Sequence, residues 1–240
     1  MKYFFFALIT LSATPVVHIS PLQLFIVWNV GQGQWTTSVN SESCLHFDIG
    51  GESFPWKKVR KLCEKKENRI YLSHWDWDHV GGLSRWPWGW KRHKTCIALR
   101  PLGKSSLKKM KLLSGFTDCQ ELTREIQIWT PRSAKDSNSQ SHVLKFQRIL
   151  LPGDSPTSQE KFWRPTNLTQ DVTLLILGHH GSATSTSEDT LKQMPALRMA
   201  ISSARWSRYG HPHPDVQARL KRKKVPLLRT EDWGHLHFQQ

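Results

Sequence analysis

The stretch Ser73-His74-Trp75-Asp76-Trp77-Asp78-His79-Val80-Gly81-Gly82, directly after the apolar run Ile70-Tyr71-Leu72, decides how this chain is read. Four metal-ligand side chains, His74, Asp76, Asp78 and His79, fall within six residues. If the chain stays extended, alternation with period two puts His74, Asp76 and Asp78 on one side and Trp75 and Trp77 on the other. The two tryptophans are then expected to pack on the core or shape the rim. A turn brings His79 to the same mouth, and Gly81-Gly82 permits a tight change of direction. Imidazole nitrogen and carboxylate oxygen suit a divalent cation, and four such groups this close would repel or desolvate one another without one. The bland alternative is a solvated polar loop after a strand, which rarely offers two His and two Asp in this order.

Outward from this stretch the pattern of a strand ending in ligands repeats. Upstream, Leu22–Trp28 reads as a buried strand running into a turn over Asn29–Gln34. A second strand, Ser43–Asp48, closes on Gly50-Gly51, and Trp56, Val59, Leu62 and Cys63 recur at helical spacing between Phe54 and Lys66. Downstream, strands at Thr95–Leu99 and Ile126–Trp129 flank Lys104–Lys111, a surface helix or loop. His142–Leu151 reads as a hairpin pair ending in Pro152-Gly153-Asp154, and Val172–Leu177 as a strand ending in Gly178-His179-His180-Gly181-Ser182. Helices over Glu188–Gln193 and Asp215–Lys224, and strands at Arg198–Ser203, Pro226–Arg229 and His235–Phe238, complete the chain. Two similar series of strands and helices fit a layered α/β sandwich better than a doubly wound parallel sheet. Trp86, Trp88 and Trp90, interleaved with Arg85, Lys91 and Arg92, either stack on bases or sugars or pack a flap onto the core.

Composition narrows the partners. Thirty-four Lys+Arg against 19 Asp+Glu give a formal charge of +15, which favours nucleic acid, a teichoic polymer or an anionic membrane surface. The basic excess comes with 12 Trp, a residue that stacks on bases. Met1 to Ala13 carries one positive charge and then an apolar run of signal-peptide length, with small residues at Ser12 and Ala13 and Pro15 beyond. The expected organisation is therefore a leader over 1–20 and a single domain over 21–240, exported to the periplasm or the medium. Long apolar helices of a channel are not in the sequence, so transport of DNA needs a separate membrane pore. Cys44, Cys63, Cys96 and Cys119 show no C-x-x-C spacing, which argues against a zinc ribbon; export allows disulfides whose pairing the sequence does not give.

Ligand-type residues now stand at three strand ends: His74 to His79, Asp154, and His179 with His180. A two-metal hydrolase needs cations roughly 3.5 to 4 Å apart, bridged by a carboxylate. At these residues the sequence resembles the metallo-β-lactamase superfamily, whose H-x-H-x-D-H signature stands here as His74-x-Asp76-x-Asp78-His79. More narrowly it resembles the competence-type branch, the hydrolase domain at the C-terminus of ComEC DNA-uptake proteins. The matching segments are Asn29 to Gly33, Phe47 to Gly50, Ser73 to Gly82, Leu150 to Asp154, Gly178 to Ser182 with Ser185 to Ser187, Tyr209-Gly210-His211-Pro212, and Arg229-Thr230 with Gly234.

The resemblance implies a four-layer αββα sandwich with two divalent metal ions at one edge between the sheets. His74 and Asp76 would hold one metal, Asp78 and His79 the other, with Asp154 bridging. His179 would complete the second site, and His180 is its alternative. Asp78, His180 and His211 are the catalytic candidates, His211 as proton donor or phosphate contact. Ser182, Ser185, Tyr209, Lys221 and Arg222 are the substrate-binding candidates. The superfamily's histidine upstream of the bridging aspartate has no clear equivalent: His93 lies beside the Trp cluster and His142 opens a strand. Asp76 in place of histidine enriches the ligand set in oxygen and moves preference from zinc toward manganese or magnesium. The implied activity is phosphodiester hydrolysis, by a nuclease acting on DNA in uptake or degradation. The alternatives are a phosphodiesterase acting on an envelope polymer or small phosphodiester, and a catalytically silent DNA-binding module.

Overall fold

Strand residues in this chain alternate between two apolar faces, and that alternation builds three separate hydrophobic layers. The computed structural model describes residues 23–239 apart from 88, 91–93, 122, 133 and 135; the expected leader, Trp88 and Lys91 to His93 thus lie outside the described residues. One sheet has the order β13-β1-β2-β3-β4-β5-β6, with β1 Leu24–Val27, β2 Trp35–Val39, β3 Ser43–Ile49, β4 Glu67–Tyr71, β5 Thr95–Leu99, β6 Thr117–Asp118 and β13 Leu236–Gln239. The other has the order β12-β11-β10-β9-β8-β7, with β7 Ile126–Trp129, β8 Val143–Phe146, β9 Ile149–Leu151, β10 Leu174–Ile176, β11 Met199–Ser202 and β12 Leu227–Arg229. Phe25, Leu45, Phe47 and Tyr71 of the first sheet meet Leu144, Phe146, Ile149 and Ile176 of the second in a central core. On the outer face of the first sheet, Ile26, Cys44, Ile70 and Leu72 pack against Val59 and Cys63 of α1 (Trp56–Cys63). On the outer face of the second, Leu150, Leu175 and Ala200 pack against Trp163 of α4 (Thr157–Trp163), Leu191 of α5 (Glu188–Lys192), and Val216 and Leu220 of α7 (Pro214–Arg222). The architecture is the αββα sandwich.

Strand β2 has no counterpart in the sequence reading, which ran Leu22–Trp28 into a turn. Its Trp-Thr-Thr-Ser-Val composition lacks an apolar alternation, yet all five residues are buried. Polar partners account for this: Trp28 Nε1 donates to Thr37 Oγ1, and His46 lies between Thr37 Oγ1 and Asn68 Oδ1. Lys104–Lys111 resolves into α3 (Leu107–Leu113), capped by Ser106. Trp86 and Trp90 belong to the outer core of the first sheet, which favours the packing alternative for that cluster. Disulfides Cys44–Cys63 and Cys96–Cys119 close separations of 19 and 23 residues.

The topology positions the site. Strands β3, β4 and β5 run parallel in one sheet, and β9, β10, β11 and β12 run parallel in the other. Loops that leave carboxyl ends of parallel strands gather at one edge of the sheet, where α/β proteins bind ligands. Asp48 is the penultimate residue of β3, and His74 to His79, Asp154, His179, His180 and Tyr209 to His211 follow such ends.

Candidate metal centre

The stretch from Ser73 leaves β4 extended only as far as Asp76. Asp76 (ψ 149°) caps α2 (Trp77–Val80), so Asp78 reaches the centre from a helical turn and the expected extended run to Asp78 is corrected. Trp75 is buried, with Nε1 donating to Leu102 O, as a residue facing the core should be. Trp77 takes the other expected place, at the rim of the pocket, where it sits on the first turn of the helix. Gly50 makes this approach feasible: a Cβ there would fall on the backbone of Asp78 and His79.

Three histidines turn Nε2 toward Asp154 while their Nδ1 atoms are engaged elsewhere. Ser73 Oγ lies 2.9 Å from His74 Nδ1, Asp48 Oδ2 lies 2.7 Å from His79 Nδ1, and Ser203 O accepts from His180 Nδ1 at 3.0 Å. Such outer partners fix the tautomer and ring orientation of metal-binding histidines. Asp48 also accepts from Ser73 N and Ser73 Oγ, and Gln34 Nε2 lies 3.3 Å from its Oδ2, so one buried carboxylate organises two of the three rings.

Asp154 sits among them with its two oxygens turned to different neighbours. Oδ1 lies 3.0 Å from His79 Nε2 and 3.8 Å from His180 Nε2. Oδ2 lies 3.7 Å from His74 Nε2 and 3.6 Å from His179 Nε2. Asp78 Oδ2 is 3.2 Å from His180 Nε2, whereas Asp76 Oδ2 is 3.5 Å from His74 Nε2. The adjacent His179 and His180 diverge because both adopt left-handed backbone (φ 48° and 57°), a strained pairing of the kind found at functional sites.

Charge follows this geometry. Burial disfavours the imidazolium of His79, but the carboxylates of Asp154 and Asp48 outweigh it and hold its pKa well above the ordinary value. Burial would raise the pKa of Asp154, yet His79, His180 and His74 hold it well below the carboxylate range. The same opposition, with His180 as the main partner, lowers Asp78. The close approach of His74, with Nε2 3.5 Å away, is the main reason Asp76 drops to about 2, and Lys109 Nζ lies 3.5 Å from its other oxygen. His211 falls to about 4, through burial and the neighbouring His180 and His179, and is neutral at pH 7.

This donor set fits divalent cations. His74 Nε2 and Asp154 Oδ1 are buried with no hydrogen-bond partner among the described residues, a costly state unless something else satisfies them. His74, His79 and Asp154, and likewise Asp78, His79 and His180, present ligand atoms mutually within 4.8 Å. A third grouping, Cys44, His46 and Cys63, has its thiols in a disulfide and offers no comparable site.

The pocket above the centre, of roughly 640 Å³, is lined by Asp76, Asp78, Asp154, His179, His180, Ser182, Tyr209 and His211 from the sequence reading. It also takes in Gln32, Glu52, Trp77, Lys109, Asn138 and Arg208. Ser185 is fully buried and donates to Gly178 O, which makes it a brace for the histidine turn and not a surface facing substrate. Lys221 lines a separate cleft beside Val225 and Leu227, and Arg222 pairs with Glu188; neither lines the pocket. His142 is near the centre but spent, with Nδ1 on Thr130 Oγ1 and Nε2 on Arg100 O. Asp48 and Lys109 were missed as site residues. Phe47-Asp48-Ile49-Gly50 did carry a signal, whereas Lys109 lay unmarked in a lysine-rich helix.

No family model matches the chain. Recombination protein 2 of Haemophilus influenzae is 30% identical over 222 residues, covering 87% of this chain and 28% of that protein. Competence protein ComA of Neisseria gonorrhoeae is 27% identical over 230 residues, covering 88% and 31%. ComE operon protein 3 of Bacillus subtilis is 28% identical over 197 residues, covering 73% and 25%. The chain thus spans under a third of the length of these relatives. Among solved structures, the metallo-β-lactamase fold protein YhfI of Bacillus subtilis superposes with a TM-score of 0.61 at 12% identity, over 91% of this chain and all of that one. Tm1679, described as a metal-dependent hydrolase of the β-lactamase superfamily, gives a TM-score of 0.53 at 12% identity, over 90% and 98%.

Proposed function

We propose that this chain, which has the metallo-β-lactamase fold and resembles competence proteins over less than a third of their length, is a metal-dependent phosphodiester hydrolase, a nuclease acting on DNA. The observation that carries this reading is the division of the buried Asp154 carboxylate between two sets of ligand atoms. One cation would be held by His74, Asp76 and His179 with Asp154 Oδ2; the other by Asp78, His79 and His180 with Asp154 Oδ1. On this assignment His179 and His180 serve different positions, and His179 supplies from after the bridging aspartate what the superfamily takes from an upstream histidine. Three aspartates among seven ligands favour a hard, oxygen-preferring ion, and manganese is the proposed one.

When bound, such cations activate water and neutralise charge building on a phosphate. The chain's own groups do the remaining work. Neutral His211 presents an N–H to a phosphate oxygen, Arg208 on the rim balances a backbone phosphate, and buried Asp48 keeps the His79 ring oriented. The +15 charge draws a polyanion to this edge without reading its sequence.

Metal analysis combined with cleavage of DNA across Mn, Mg and Zn tests the reading. Cleavage is expected with manganese, and Asp78→Ala is expected to keep the fold and abolish cutting. Activity with zinc alone would overturn the metal assignment, and unchanged cleavage by Asp78→Ala would overturn the site.

A further inference from the structure

Large aromatic side chains are usually buried, yet three stay open at or beside this pocket: Trp77 (41% exposed), Tyr209 (58%) and Trp206 (43%). Trp77 and Tyr209 line the mouth itself, and Trp206 opens the short helix α6 (Trp206–Tyr209) that carries Tyr209. They come from different sheets: Trp77 follows β4, and α6 follows β11. Each lining ring carries a cation. Lys108 Nζ lies 5.2 Å from the Trp77 ring centre, and the Arg208 guanidinium lies 5.5 Å from that of Tyr209. Glu52 Oε1 accepts from both Arg205 and Arg208, at 2.8 and 2.7 Å, which pins two guanidinium groups beside the rings and leaves a net positive charge.

Exposed rings, each with a cation beside it, are what a strand with unpaired bases and a charged backbone requires. A duplex cannot use them without unstacking its bases. We propose that the mouth is a base-stacking track for single-stranded nucleic acid, in which Trp77 and Tyr209, continued by Trp206, hold successive bases while Lys108 and Arg208 hold the phosphates between them. The track rests on the nuclease reading and adds to it the form of the substrate: a strand already separated from its complement.

Fluorescence anisotropy of the full chain in EDTA, where no strand is cut, tests this with a 12-nucleotide single strand, its duplex, and an abasic strand of equal length. The single strand is expected to bind at least tenfold more tightly than either competitor. Trp77→Ala and Tyr209→Ala should each weaken single-strand binding by about 5- to 100-fold, the range for losing one stacked base, and Trp77→Phe and Tyr209→Phe should restore most of it. Unchanged thermal melting of the alanine variants separates this loss from misfolding. Equal affinity for the duplex, or for the abasic strand, would sink the track while leaving nuclease activity standing. Failure to bind DNA in any form, with bis(p-nitrophenyl) phosphate still hydrolysed in manganese, would overturn the nuclease reading and the track together.

Discussion

Asp48 makes the outer contacts of the centre, and its backbone lies in the left-handed region at φ 53°. Asparagine tolerates that conformation, so Asp48→Asn removes charge from the His79 and Ser73 contacts without forcing the turn. Losing such an outer partner commonly costs 10- to 100-fold in metal affinity, and calorimetric titration with manganese should show a loss of about that size. His46 provides a pH signature away from the centre. It is fully buried, and burial lowers its pKa to about 4 despite the bond to Asn68. Between about pH 4 and 6.5 the unfolded chain binds a proton there that the folded chain refuses, so stability rises with pH across this window and is lost as pH falls through it. The full effect is up to about 3 kcal/mol. Denaturant unfolding at pH 4.5, 5.5 and 7 should show a steeper acid loss for the wild type than for His46→Gln.

At the scale of elements, two turns set the geometry of the ligands. The first is the junction of β3 with α2, where Gly50 lies against the backbone of Asp78 and His79. Gly50→Ala must push α2 outward, and the expected result is a loss of metal binding with a destabilisation of more than about 2 kcal/mol, read by metal content and thermal melting. The second is the Gly178–Gly181 turn, which holds two adjacent histidines in the left-handed region at about 1 to 3 kcal/mol each. His179 N donates to Gly153 O, and Ser185 Oγ to Gly178 O, which keeps the turn in place. His179→Gly relieves the strain at one residue while deleting one ligand. The metal-free variant should therefore be at least as stable as the wild type, yet bind one manganese where the wild type binds two. A variant that still binds two would remove His179 from the ligand set.

Over the whole molecule, the two disulfides tie α1 to β3 and the residue after the edge strand β6 to β5. In the chain-entropy view each loop of about 20 residues constrains the unfolded state by about 3 kcal/mol, so reduction should lower the melting temperature of the oxidised protein by many degrees. The sequence by itself determined the layered class and picked out His74, Asp76, Asp78, His79, Asp154 and the His179-His180 pair, which the fold brings together at one edge. These were legible because strand periodicity and the chemistry of ligands are local properties. It could not reveal β2, whose threonines and serine are buried only because Trp28, His46 and Asn68 satisfy them from other strands. Nor could it assign Lys221 and Arg222, whose charge on α7 faces away from the pocket, or Lys109, brought to Asp76 from a helix some thirty residues on. The tertiary structure alone decided that His179 and His180 point to different oxygens of Asp154, and that Trp77 faces the mouth. Both depend on backbone conformation where one element ends and another begins, which is set by packing between distant segments and not by the residues of the turn.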